Sequence, residues 1–147
     1  MPLRRAAVAL AIAAGISACT SEPAEVTSDD YIAALEALCE QTDAVLDALP
    51  TPPEEISVSD FASDAASALD NEASRMRRLY VPDDLEADHR ALVRNTEEQA
   101  AAWDAVAARG SDESDLLAAT TRIGELLLGR DDLVSEMGAD GCRRGAG

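Results

Sequence analysis

Few residues in this chain are equipped for chemistry. His89 is the single histidine and follows Glu86 at a Glu-Xaa-Xaa-His spacing, which sets two metal-ligating side chains on one helical face. Di-iron bundles need that motif from two helices plus two further glutamates, so a lone histidine excludes the symmetric site. A mononuclear metal centre is conceivable, with Glu72 of the preceding helix joining Glu86 and His89. The plainer reading makes His89 a boundary core residue hydrogen-bonded to a neighbouring carboxylate. Met76 and His89 also match a Met/His haem pair, but scarce aromatics and tightly adjacent helices favour core packing. No Gly-rich phosphate loop, nucleophile elbow or histidine-based triad is present, so the chain reads as non-enzymatic, with no catalytic residues and no cofactor. The carboxylate pairs Asp83/Asp84 and Asp131/Asp132 read as solvated charge on polar helix faces.

Composition narrows the field further. The 147 residues carry 29 acidic and 12 basic side chains, every basic one an arginine, for a net charge of −17. Such a surface repels phosphate backbones and excludes nucleic acid as a partner. Aromatic residues amount to 3%, too few for stacking platforms or a ring-lined carbohydrate cleft. The length predicts one domain.

The N-terminal segment carries its own chemistry. Arg4 and Arg5 precede an apolar run from Ala6 to Ile16, the length of a signal-peptide core and too short to span a bilayer. Ile16-Ser17-Ala18-Cys19 follows, and it resembles the lipobox of bacterial lipoproteins. The resemblance implies diacylglycerol on the Cys19 thiol, cleavage between Ala18 and Cys19, and acylation of the new amino terminus. Residues 1–18 then form a lipoprotein signal peptide, and residues 19–28 a lipidated flexible tether. The polar stretch from Thr20 to Ser28 reaches roughly 30 Å at ~3.4 Å per residue. The protein is expected to be exported and held by lipid at the outer face of the plasma membrane.

With Cys19 committed to lipid, Cys39 and Cys142 remain. In an exported protein an even remainder reads as a disulfide. Two free buried thiols are the alternative, and a zinc site would lack ligands.

Residues 29–147 are expected to form an all-α domain, an antiparallel up-down four-helix bundle with one disulfide. Tyr31, Leu35, Leu38, Thr42, Val45 and Leu49 step by four and three, which predicts a helix started by Thr27 or Ser28 and stopped by Pro50-Thr51-Pro52-Pro53. Ser57 opens a second helix, with Asp60 completing a capping box, and Val81-Pro82-Asp83 ends it. The third helix, about Asp84 to Ala108, has the stripe Leu85, His89, Leu92, Thr96, Gln99, Trp103, Val106. Its polar middle predicts loose packing or a wet seam. Leu116, Leu117, Thr120, Ile123, Leu127, Val134 and Met137 carry the fourth helix, with a break expected near Gly129 and a C-cap at Gly138. Cys39 lies ~15 Å along the first helix, and the segment from Gly138 to Cys142 reaches ~13 Å, so the bridge requires the tail to fold back.

The layout resembles small actinobacterial exported helical proteins. The shared features are a first helix bearing tyrosine and cysteine (Tyr31 to Cys39), a Pro-Xaa-Xaa-Leu-Xaa-Xaa-Xaa-His turn (Pro82, Leu85, His89) and a Gly-Xaa-Xaa-Xaa-Cys ending (Gly138 to Cys142). That resemblance implies no activity. The reading that follows is an interaction or accessory module anchored in the cell envelope, with a small-ligand or metal carrier using His89, Glu86 and Glu72 as the alternative. An envelope protein partner is expected at the acidic distal tip (Glu54, Glu55, Asp112, Glu113, Asp115) or on the third helix near Thr96 and Gln99. Arg143 and Arg144 are expected at the opposite, lipid-facing end.

Overall fold

The computed structural model describes residues 26–109 and 113–145, with the side chains of Glu113 and Ser114 outside that description. Four helices follow one another: α1 Ser28–Asp47, α2 Val58–Met76, α3 Glu86–Arg109 and α4 Glu113–Met137. Short 3-10 turns at Asp83–Leu85 and Asp140–Cys142 precede α3 and follow α4. The described residues contain no strand, and none of their helices is long and apolar enough to cross a membrane. The lipobox residues Ala18 and Cys19, and Asp112 of the expected tip, lie outside the described residues.

Local chemistry sets the helix ends. Thr27 caps α1 by accepting from the Asp30 amide at 3.2 Å, while the Asp30 carboxylate accepts from the Thr27 amide at 3.2 Å. Hydrogen bonding from the Thr27 side chain, then from its backbone, holds the Asp30 carboxyl below its ordinary value. Ser57 caps α2 through the Asp60 amide at 3.0 Å. Gly138, at φ 78°, terminates α4. The Ala139 amide reaches back to the Val134 carbonyl at 2.8 Å and the Gly138 amide to Ser135 at 3.1 Å, closing a Schellman turn. Buried Val134 and Ala139 supply the apolar contact that accompanies such turns.

Two apolar clusters show how the helices run. One joins Tyr31, Leu35 and Leu38 of α1 to Met76, Leu92, Val93, Val134 and Met137. The other joins Ala62, Val106, Ala119 and Ile123 with Ala102 and Leu126. The start of α1 therefore lies with the end of α2, the start of α3 and the end of α4, as in an up-down bundle. No residue of α1 belongs to the second cluster. Beyond Thr42, α1 buries no side chain, and Val45 stays exposed.

The break expected near Gly129 does not occur, since α4 runs through it without interruption. The backbone bonds of a helix already supported on one face by Ile123, Leu126, Arg130 and Val134 outweigh the local entropy cost of two glycines.

Candidate functional site

A polar layer crosses the bundle between the two apolar clusters. Its centre is Arg130, whose side chain is 0% exposed. The guanidinium donates from Nε to the Cys142 carbonyl at 3.0 Å, from Nη1 to Thr96 Oγ1 at 2.9 Å, and from Nη2 to Glu72 Oε1 at 2.9 Å. Nη2 also lies 3.3 Å from Cys39 Sγ. Arg144 approaches Glu72 from the other side, with Nη1 2.8 Å from Oε2 and Nη2 3.1 Å from Oε1. Its Nε donates to Asp43 Oδ1. One buried carboxylate is thus shared by two arginines from separate elements.

The electrostatics of the layer are those of paired buried charge. Burial lowers the pKa of Arg130, opposed by the negative charge of Glu72. Burial also works against the Arg144 cation, but Glu72 and Asp43 outweigh it and raise the net value. Among the described residues no buried side-chain polar atom lacks a hydrogen-bond partner, which is the condition for an ionic layer inside a bundle.

The tail completes the layer. Cys39 and Cys142 form the disulfide, with Cα atoms 5.2 Å apart. The Asp131 carboxylate accepts from the Arg144 amide at 2.8 Å and the Gly145 amide at 3.0 Å, and Glu36 accepts from the Gly141 amide at 2.9 Å. Asp131 is therefore a buried anchor for the tail rather than the solvated charge expected of it.

The layer borders a cleft of about 400 Å³. Leu69, Phe61, Trp103, Ile123 and Leu127 line its apolar part, with Asp43, Leu46 and Asp47 of α1 on one side and Arg143 and Arg144 of the tail on another. Phe61 and Trp103 meet edge-to-face with centroids 5.7 Å apart. The cleft lies beside the stretch of α1 beyond Thr42 that buries no side chain.

The residues expected to bind metal are not brought together. His89 Nδ1 pairs with the Tyr31 hydroxyl at 2.9 Å. Burial lowers the His89 pKa and, with the Asp88 charge, pushes Tyr31 up to about 12. The partner of His89 is thus a phenol, not a carboxylate. Glu86 is exposed and lies 3.9 Å from Arg90, while Glu72 is engaged by Arg130 and Arg144. Among the described residues no three of His, Cys, Asp or Glu gather as a metal cage. Met76 is a buried member of the first apolar cluster.

Three further placements bear on expectation. Thr96 and Gln99 are buried at 0% and 1% exposure, so that stretch of α3 is not a wet seam, and Gln99 lies on the wall of the cleft. Thr96 receives the Arg130 guanidinium, and Gln99 donates to Asn95 Oδ1 at 2.6 Å. Arg144 is buried in the ionic layer instead of facing lipid, because the disulfide folds the tail back along α1. At the tip, Glu55 accepts from the Thr51 amide at 3.3 Å and Asp115 lies 4.0 Å from Arg109, so both carboxylates have local partners.

Sequence reasoning did not single out Arg130 or Asp43, and it gave Arg144 and Asp131 other roles. A signal for the first was present. The stripe of α4 jumps from Leu127 to Val134, and the position that bridges the gap by steps of three and four is Arg130. Glu72 likewise follows Leu69 on the buried stripe of α2. A cation and an anion on facing stripes, level with Thr96 and Gln99, mark a buried polar layer. No protein-family model matches this chain, and no curated protein or solved structure is found to be significantly similar to it.

Proposed function

We propose that this protein is a non-enzymatic lipoprotein, exported and anchored through Cys19 at the outer face of the plasma membrane, whose bundle is a binding module for an envelope protein. The cleft between α1 and the other three helices is the contact. The observation that carries this reading is the apolar floor of the cleft, where half-buried Phe61, Trp103 and Leu127 lie beside buried Leu69 and Ile123. A volume of about 400 Å³ sits at the low end of the range for ligand pockets. It suits one or two large apolar side chains of a partner, not a whole helix. The net charge of −17 favours a partner with cationic flanks, which would quicken association and make it salt-sensitive.

Two experiments test the two halves of this reading. Cys19→Ala should leave the precursor unprocessed or release it from membranes; a Cys19→Ala protein that is processed and partitions like wild type defeats the anchor. A photoreactive residue in place of Leu46, on the cleft, should cross-link one envelope protein that the same residue in place of exposed Leu117 does not. Equal cross-linking from both positions defeats the cleft.

A small-ligand carrier is the second reading, and the lining of the cleft by side chains from all four helices favours it. The ligand would sit beside Trp103, not at His89. Trp103 is the single tryptophan, so a blue shift of its emission on adding an apolar ligand separates this reading from the first.

A further inference from the structure

Against its acidic background the chain gathers arginine at one place. Arg77 at the end of α2 and Arg90 and Arg94, one turn apart on α3, line an open hollow of about 760 Å³ together with Ala87, His89, Val93 and Glu97. Their charge is only partly answered. Arg77 pairs with Glu97, and Arg90 lies 3.9 Å from Glu86, beyond hydrogen-bonding distance, with both side chains exposed. The exposed side chain of Arg94 makes no hydrogen bond or ion pair with any described residue. A patch of this kind is complementary to anions.

Its position in the fold says which anions it meets. Ser28 Oγ lies 3.2 Å from an Asp84 carboxylate oxygen, and Tyr31 bonds His89, which itself lines the hollow. The chain therefore enters the bundle beside the arginines. Val26 lies seven positions after Cys19, a reach of at most ~25 Å. A lipid on Cys19 would keep this end of the bundle against the headgroups, where basic side chains act within a Debye length of an anionic surface. Of the tail arginines, Arg144 is held against Glu72, and the charge of exposed Arg143 is answered by Asp131 at 3.9 Å and Asp140 at 4.0 Å.

We propose that Arg77, Arg90 and Arg94 form a headgroup-facing patch that docks the anchored end of the bundle on an anionic bilayer. The inference rests on the lipid anchor proposed above. Asp29, Asp30, Asp83, Asp84, Glu86 and Asp88 share this end and keep the attraction short-ranged. The patch acts once the tether has supplied a high local concentration, and does not recruit the free domain from solution.

The test supplies the tether chemically, so its outcome does not depend on whether the cell lipidates Cys19. The chain used lacks residues 1–18, the mature form that the anchor reading implies. With the disulfide formed, Cys19 is the one free thiol, and it is coupled to a maleimide lipid in vesicles. The vesicles are phosphatidylcholine alone or an equal mixture with phosphatidylglycerol. Arginine modification by phenylglyoxal is then mapped by mass spectrometry. The proposal expects a several-fold loss of reactivity at Arg90 and Arg94 on the anionic vesicles, reversed by high salt, with exposed Arg122 unchanged. In the Arg90→Gln/Arg94→Gln variant the protection of Arg77 should disappear. Equal reactivity of Arg94 on both vesicles, or protection that extends to Arg122, overturns the patch. A negative result here with normal membrane retention in cells refutes the patch alone, whereas loss of retention refutes the anchor.

Discussion

Arg130 and Glu72 face each other at 2.9 Å in the centre of the bundle, both with fully buried side chains. The pair links α4 to α2 between two apolar clusters, and the tail closes over it by adding Arg144 to the same carboxylate. Such a layer does not by itself raise stability, because each charge gives up its hydration. It does discriminate among ways of packing an alanine-rich bundle, since any slip of α4 along α2 would strand a buried charge.

Removal of one member should therefore hurt unequally. Glu72→Gln leaves Arg130 and Arg144 facing each other without their shared anion, while Arg144→Gln leaves Glu72 still paired to Arg130. Urea denaturation should find Glu72→Gln destabilised by about 3–5 kcal/mol, and Arg144→Gln by clearly less. Replacement of both Glu72 and Arg130 by methionine should recover part of the loss of Glu72→Gln; a double variant weaker than either single one would contradict this account.

The disulfide closes a sequence separation of 103 residues, for which chain entropy predicts about 4–5 kcal/mol. Reduction also frees the tail that carries Arg144. Denaturation midpoints with and without reductant should differ accordingly, and the reduced protein should lose the ionic layer with the bridge. Cys142→Ala combined with Arg144→Gln should then cost less than the sum of the two single variants.

Three glycines near the C-terminus should respond with opposite signs. Nothing lies within 4 Å of a side chain added at Gly124, so Gly124→Ala should stabilise α4 by up to ~1 kcal/mol. The nearest atom to one added at Gly129 is Asn95 Nδ2 at 3.6 Å, an ordinary contact, so Gly129→Ala should behave alike. Gly138 sits at φ 78°, where a β-carbon costs roughly 1 kcal/mol. Gly138→Ala should lower the melting temperature while the other two raise it.

The Tyr31–His89 pair predicts a pH dependence. Burial lowers the folded-state pKa of His89 from its ordinary 6.5, so the unfolded chain takes up the proton first. The stability it contributes is complete above pH 6.5 and is lost as pH falls from there through the folded-state value. Tyr31 acts in the other direction: its pKa, pushed up to about 12, gives stability that is present below its ordinary value of 10 and lost as pH rises from there towards 12. An NMR titration of the single histidine should read a pKa below 6.5, and a His89 that titrates at or above 6.5 would contradict the burial account.

Much of the scaffold was legible in the residues themselves. Apolar steps of three and four place all four helices, Thr27 and Ser57 start the first two, and Gly138 ends the last. Short connections make the helices antiparallel. The lone pair of cysteines within residues 29–147 makes the bridge, as the parity of thiols suggested. These features are local or combinatorial, so a linear chain displays them. The ionic layer is different. Thr96, Gln99, Glu72 and Arg130 look like blemishes on separate stripes, and each is solvated until all four helices stand in register. A buried charge is tolerable only beside its counter-charge, and that proximity is a property of packing across 58 residues of sequence between Glu72 and Arg130. The cleft is likewise a matter of packing, because its walls come from all four helices and the tail. Sequence determined the helices and their order; the tertiary structure alone decided which polar residues became core and where the core was left open.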